Sequence, residues 1–176
     1  MSFLVRDAGE ADLPRITAIY AHHVRTGLAS FETQPPDEAE MRARFEAVRE
    51  KGFPFLACEC EGRVAGYAYA SLYRTRPAYR FTLEDSVYVD PDFAGRGIGR
   101  ALLGRLIGEC EAIGCRNLVA VIGDSGNTAS IALHSALGFR HVGTLRAIGF
   151  KHGRWVDSVL MQRALGAGDS SIPEDQ

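Results

Sequence analysis

A chain of 176 residues with 46% hydrophobic residues is the size of one domain and can bury a proper core. Its 20 Lys+Arg against 22 Asp+Glu leave a formal charge of −2, which excludes the basic excess of a general nucleic-acid binder. The opening "MSFLVRDAGEADL" has no apolar run of signal-peptide length and no segment approaches a membrane span, so a cytoplasmic protein without nucleic-acid or membrane partners is expected.

In chain order, "FLVRDA" reads as a short strand. Asp12 with Pro14 then opens a helix to roughly residue 26, with Leu13, Ile16, Ile19 and Tyr20 on one face. An extended piece, "ASFETQPP", follows. Asp37 caps the next helix, Glu40 standing three residues on as the partner of a capping box, and Met41, Phe45 and Val48 supply its apolar face. "FPFLACEC", a turn at Glu61-Gly62 and "RVAGYAYASLYR" make a hairpin, and "FTLEDSVYVD" is the next strand. Leu102, Leu103, Leu106, Ile107 and Cys110 recur at helical spacing. "NLVAVI" reads as a buried strand, Asn127 to Leu137 as a further helix, and two last strands close a hairpin around "KHGR". The tail "GAGDSSIPEDQ", residues 166–176, is expected to be disordered beyond a single domain over 1–165.

Four cysteines, Cys58, Cys60, Cys110 and Cys115, lie in apolar stretches with no CxxC and no nearby paired histidines. Reduced, buried thiols are expected, and no metal. Only Lys51 and Lys151 are lysines, so arginine, whose planar fork suits carboxylates and phosphates, is the cation to follow.

The stretch "PDFAGRGIGRALLGRLIGEC", residues 91–110, places glycines at 95, 97 and 99 between a strand and a helix. A GxGxxG motif would need glycine where Arg100 stands, and the GK[ST] of a P-loop is absent. What remains is a helix start whose first amides have no partner inside the helix and whose glycines let an anion approach closely. Arg96 and Arg100 add charge at the same rim, as a ligand with more than one phosphate would need. An ordinary glycine turn feeding an amphipathic helix would satisfy the same residues.

"VYVDPDFAGRGIGRALL" followed by "NTASIALHSALGF" resembles the GNAT superfamily of acetyl-CoA-dependent N-acetyltransferases. "SVYVDP", "SIALHSALGF" and "GRWVD" look closer still to its phosphinothricin and methionine sulfoximine acetyltransferase branch, and the resemblance runs from Val5 to Leu165. One departure is Ala94, where the family pattern begins its loop with Gln or Arg. The resemblance implies an α/β (α+β) GNAT fold: a mixed, mostly antiparallel twisted sheet of about seven strands flanked by about four helices. It also implies acetyl-CoA as co-substrate, a small amine as acceptor, and a homodimer. The pyrophosphate would lie on Gly95, Arg96, Gly97, Ile98, Gly99 and Arg100. Asn127 and Ser130 would hold the coenzyme A arm, and backbone N–H groups at a bulge around Val87, Tyr88 and Val89 would face the thioester.

An alkylammonium has a pKa of roughly 10 and an α-amino group about 8, so attack on a thioester needs a base. Alternation along "FTLEDSVYV" sends Thr82, Glu84, Ser86 and Tyr88 to one face and Phe81, Leu83, Asp85, Val87 and Val89 to the other. By resemblance Glu84 matches the branch's general base. Asn127 and His134, nearly two helical turns apart, share a face with Ile131 between them, while Ala129, Leu133, Ala136 and Leu137 form a separate stripe for the core. His134 falls where many GNAT enzymes carry a tyrosine acid, so protonating the leaving sulfur and simple packing or hydrogen bonding are both open.

In "YRTRPAYRF" an extended chain would aim Arg74 and Arg76 the same way, as a substrate carboxylate requires. Phe31 and Glu32 resemble the segment lining the opposite wall. Trp155 and Asp157 would complete the pocket or a dimer contact, or serve structure alone, and His22 and His23 read as surface residues. Beside an enzyme acting on amino-acid-like α-amines stand a non-catalytic acyl-CoA sensor and an acetyltransferase for a polyamine, an arylalkylamine or a protein N-terminus.

Overall fold

The computed structural model describes residues 2–173. Among them are seven strands and four α-helices. In order they are β1 (Phe3–Asp7), α1 (Leu13–Thr26), α2 (Glu38–Glu50), β2 (Phe55–Cys60), β3 (Arg63–Leu72), β4 (Thr82–Val89), α3 (Ile98–Ala112), β5 (Asn117–Gly123), α4 (Thr128–Ala136), β6 (Arg140–Lys151) and β7 (Arg154–Ala164). The strands form one sheet ordered β1-β2-β3-β4-β5-β7-β6, antiparallel throughout except for the parallel β4–β5 pair. This is the mixed, mostly antiparallel architecture expected above.

Alternation along the strands gives the sheet two apolar faces. Leu56 and Cys58 of β2 pack with α3 through Leu102, Leu103 and Leu106, while Phe55, Ala57 and Tyr67 pack with α1 and α2 through Ile16, Tyr20 and Phe45. All four cysteines are free and buried.

Two helix starts differ from expectation. Asp12 does not cap α1: Arg6 takes its carboxylate in a fork at 2.7 and 2.9 Å, and Gly9 N–H donates to it at 2.8 Å. A charged, paired acceptor has little left to offer a helix end. Asp37 does cap α2 through Glu40 N–H at 2.8 Å, but the reciprocal half of the capping box is replaced by an ion pair of Glu40 with Arg44. Residues 166–171 follow β7 as turns and bends, with Arg116 donating to Gly168 O and Ser171 Oγ. The rest of the tail read from sequence, residues 174–176, lies outside the described residues.

Candidate active site

The parallel register of β4 and β5 runs only from Thr82↔Asn117 to Asp85↔Ala120, although β4 continues to Val89 and β5 to Gly123. Beyond Asp85 the two strands part. A cavity of about 530 Å³ fills the parting. Because residues paired across an antiparallel ladder share a face, Glu84, Ser86 and Tyr88 stand with Tyr69 and Tyr67 on the α1–α2 side, whereas Asp85 and Val87 stand on the α3–α4 side. Both groups line the cavity, together with Phe31, Glu32, Asn127, Ser130 and His134. It therefore passes through the sheet from one layer to the other.

No bulge interrupts β4, in contrast to expectation: its register with β3 is unbroken from Gly66↔Val89 to Leu72↔Leu83. The parting from β5 frees the amides instead. Asp90 N–H points to β3, donating to Ala65 O at 2.9 Å, so alternation sends the N–H groups of Val87 and Val89 the other way, into the gap. Val89 O is already occupied by His23 Nε2 at 2.8 Å. His23, expected at the surface, is thereby half-buried, and desolvation, opposed by that carbonyl, lowers its pKa.

The glycine loop leads to this gap. Asp90, paired with Arg15, accepts Asp92 N–H at 3.1 Å and fixes a short turn over Pro91–Phe93. Gly95 and Gly97 then take φ of +75° and +81°, values that L side chains adopt only with strain, and no heavy atom lies within 4 Å of where their Cβ would be. The first intrahelical bond of α3 runs from Ala101 N–H to Gly97 O at 3.0 Å, leaving the amides of Ile98, Gly99 and Arg100 without a helical partner. An anion with several oxygens fits this cradle, and Gly99 carries the path onward between Val89 and Leu133. Arg100 is exposed. Arg96 is tied to Glu61 at 2.8 Å and lies over the Phe93 ring, so it shapes the rim from the side.

Glu84 is partly buried in the cavity wall. Burial, then the neighbouring charge of Asp85, push its pKa up to about 6, with Arg74 pulling the other way. It is ionised at neutral pH, yet it holds a proton more readily than an ordinary carboxylate, as a general base must. Asp85, absent from the sequence reading of the site, is the partner of His134: Oδ2 lies 2.9 Å from Nε2, and Nδ1–H donates to Ser130 O at 2.7 Å. Burial alone would lower the imidazole pKa, but the bond and charge of Asp85 outweigh it and raise the pKa. With both ring nitrogens engaged, His134 has no N–H left over for a sulfur atom. Of the stripe expected on α4, Leu133 and Leu137 do pack against the core, but Ala129 and Ala136 are exposed, and His134 is the fully buried residue of that helix.

Asn127 caps α4, its Oδ1 accepting Ser130 N–H at 3.2 Å, which leaves its amide NH₂ for the cavity. Glu32 is held by the Arg44 fork, 2.7 Å at the shorter contact. A phenol group of Tyr20, Tyr69 and Tyr88 completes the amine-side wall. Tyr20 bonds Ser30 Oγ at 2.8 Å and meets Tyr88 edge to face at 5.0 Å, and burial holds the Tyr20 and Tyr88 phenols neutral, that of Tyr20 with a pKa of about 12. From sequence, Tyr20 is expected only in the core. Its helical spacing is that of a packing residue, and nothing local marks its hydroxyl.

Arg74 and Arg76 do not line the cavity. Bends at Thr75 and Arg76 break the extended path that would have aligned them, and Arg74 lies over the Tyr73 ring at 4.4 Å. Trp155 is 65% exposed. Asp157 is a clamp: Ser125 Oγ–H and Ala147 N–H both donate to it, at 2.7 and 2.9 Å, joining the loop before α4 to an irregular stretch of β6.

A sheet parted at its parallel pair, with an anion cradle leading into the opening and a raised-pKa carboxylate inside it, defines an acetyltransferase. The sequence matches the Acetyltransferase (GNAT) family over residues 16–139, and the chain belongs to that family. It is 60% identical to a phosphinothricin N-acetyltransferase of Alcaligenes faecalis over 97% of this chain and 86% of that one. It is 44% identical to an L-methionine sulfoximine/L-methionine sulfone acetyltransferase of Pseudomonas aeruginosa over 92% of this chain and 94% of that one. Its fold superposes with a TM-score of 0.96 on the crystal structure of a phosphinothricin acetyltransferase from Sinorhizobium meliloti in complex with AcCoA, at 49% identity, covering 99% of this chain and 95% of that one.

Proposed function

We infer that this chain is an acetyl-CoA-dependent N-acetyltransferase for the α-amine of a small amino-acid-like substrate, of the phosphinothricin, methionine sulfoximine or methionine sulfone type. The observation that carries the reading is the cavity through the parted sheet, with Glu84 and the tyrosines on one side and Asn127, Ser130 and the path to the glycine loop on the other. Relatives named for those substrates, covering nearly the whole chain, support the choice of amine.

Acetyl-CoA supplies an activated thioester: the amine nitrogen bonds to its acetyl carbon, the C–S bond breaks, and free thiol and one proton are released. Glu84 accepts the ammonium proton, directly or through water. The N–H groups of Val87 and Val89 meet the negative charge that develops on the acetyl oxygen, and fixed donors cost no reorganisation at that moment. The glycine loop holds the pyrophosphate and Asn127 and Ser130 the pantetheine arm. His134 serves as the buried counter-charge of Asp85 rather than as an acid. Phe31 and Glu32 bound the amine pocket, and Arg74, close enough to lower the Glu84 pKa, offers its charge to a substrate carboxylate, with Arg76 nearby.

One domain over residues 1–165 suffices for this activity, in the cytoplasm; no helix among the described residues is long and apolar enough to cross a membrane. A homodimer would cover the apolar face of the β6–β7 hairpin, where Val142, Ile148, Phe150 and Trp155 are exposed. Thiol release from acetyl-CoA tests the reading. It should be fastest with methionine sulfone, methionine sulfoximine or phosphinothricin, slower with their carboxyl amides, and slowest with a polyamine or an arylalkylamine. Absence of thiol release with every amine in the panel would leave an acyl-CoA sensor.

A further inference from the structure

Residues 28–32, between α1 and α2, carry no helix or strand, yet they supply the outer wall of the amine side of the cavity through Ala29, Ser30, Phe31 and Glu32. The segment is held against β5 and β6 at three points. Its carbonyls at Leu28 and Ala29 lie against Gly123 of β5, where a Cβ would stand 2.3 and 2.7 Å from the two oxygens. The Ser30 carbonyl accepts a hydrogen bond at 2.7 Å from Nζ of Lys151, a lysine of β6 that is only 4% exposed. The Phe31 ring rests on Gly149, also of β6, where a Cβ would stand 2.5 Å from Cε2 and 2.8 Å from Cδ2.

These contacts differ in what they would tolerate. At Gly123 the obstacle is backbone, so a side chain would displace the whole segment. At Gly149 the obstacle is the outer edge of a ring that is 42% exposed, and such a ring can turn without disturbing the core. A buried ammonium is costly unless hydrogen-bonded, so Lys151 belongs to the strap that fixes the segment rather than to the solvated surface. On its other side the Phe31 ring faces the cavity. Moved off β6, it takes space from whatever occupies the pocket.

We propose that Gly149 and Lys151 are specificity-determining positions: from behind the wall they set where Phe31 stands, and so how long an amine side chain the pocket accepts. The proposal rests on the reading that Phe31 bounds the amine site. One methylene in a fitted pocket changes kcat/KM by about tenfold or more, which gives the experiment its scale.

The experiment compares kcat/KM for methionine sulfone and for ethionine sulfone, one methylene longer. Gly149→Ala should lower the ratio of the longer to the shorter substrate by about tenfold, with KM for acetyl-CoA and the Tm near those of the parent. Gly143→Ala, on the same strand but with no heavy atom within 4 Å of its Cβ, should leave the ratio unchanged. Lys151→Met, which frees Ser30, should move the ratio as well. In a Phe31→Ala background the Gly149 effect should vanish, because contacting residues are coupled.

An unchanged ratio in Gly149→Ala, or an effect that persists in full without the Phe31 ring, would overturn the proposal. Should Gly149→Ala not fold, Lys151→Met with and without Phe31→Ala carries the same test. If the parent acetylates neither sulfone, the substrate reading has failed instead, and the same ratio is taken on two homologous amines that the parent does acetylate.

Discussion

The two sides of the parted sheet are built by different means. On the α3–α4 side the groups proposed to hold the cofactor are mostly backbone: the first amides of α3, the left-handed Gly95 and Gly97, and the N–H groups of Val87 and Val89 freed where β4 leaves β5. On the α1–α2 side they are side chains gathered from distant segments: Tyr20, Phe31, Glu32, Tyr69, Glu84 and Tyr88. A backbone cradle recognises phosphates and amides that every substrate pair shares. A wall of side chains can change its acceptor by changing a few residues. Cofactor binding and acceptor choice should therefore be separable by mutation.

The sharpest way to separate them is Glu84→Gln. Loss of a general base costs roughly a hundredfold or more in turnover, and acetyl-CoA affinity by calorimetry should be unchanged because Glu84 lies on the other side. A comparable effect, on stability rather than rate, is expected of His134→Ala, which strands the buried Asp85 carboxylate; breaking such a pair costs about 3–5 kcal/mol. The raised pKa of His134 fixes the sign. The pair's contribution is fully present below the unfolded-state value of about 6.5 and is lost as pH rises through the folded value. Denaturant unfolding of parent and variant at acidic and alkaline pH should therefore show the gap narrowing upward.

Gly97→Val addresses the cradle. A β-branched residue at φ +81° is strained, and its side chain would occupy the open space in front of the amides. Acetyl-CoA affinity should fall roughly ten- to a hundredfold while the preference among amines is kept, since only the phosphate approach is blocked. The smallest effect belongs to Arg74→Ala. A charge-assisted hydrogen bond contributes roughly 1.5–3 kcal/mol, but Arg74 is exposed, so about a tenfold loss of kcat/KM on carboxylate-bearing amines is expected, with none on their amides. An equal loss on both would end the carboxylate role.

The same difference in construction decides what could be read from sequence. Gly95 and Gly97 announce the cradle because tolerance of a positive φ is a property of the residue itself, and strand alternation alone places Glu84 and Asp85 on opposite faces. Register and long-range partners are not local. The parting of β4 from β5 follows from how two strands end against each other, so the freed amides of Val87 and Val89 were expected at a bulge that the β3–β4 ladder does not contain. The Asp85 carboxylate holds His134 in the interior across 49 residues, beside Leu133 and Leu137 of the expected stripe, and no periodicity of α4 contains that carboxylate. Arg74 and Arg76 were aligned on the assumption of an extended chain, and the bends at Thr75 and Arg76 remove it.

The measurement that bears most directly on this account is the pH dependence of kcat/KM for acetyl transfer to methionine sulfone, in the parent and in Glu84→Gln. It is read on the acidic side, below the α-amine ionisation at about 8. The parent rate should fall as pH drops through about 6, where Glu84 takes up its proton, and this limb should be absent from the slower variant. A parent profile flat through that range, or an identical limb in Glu84→Gln, would contradict it.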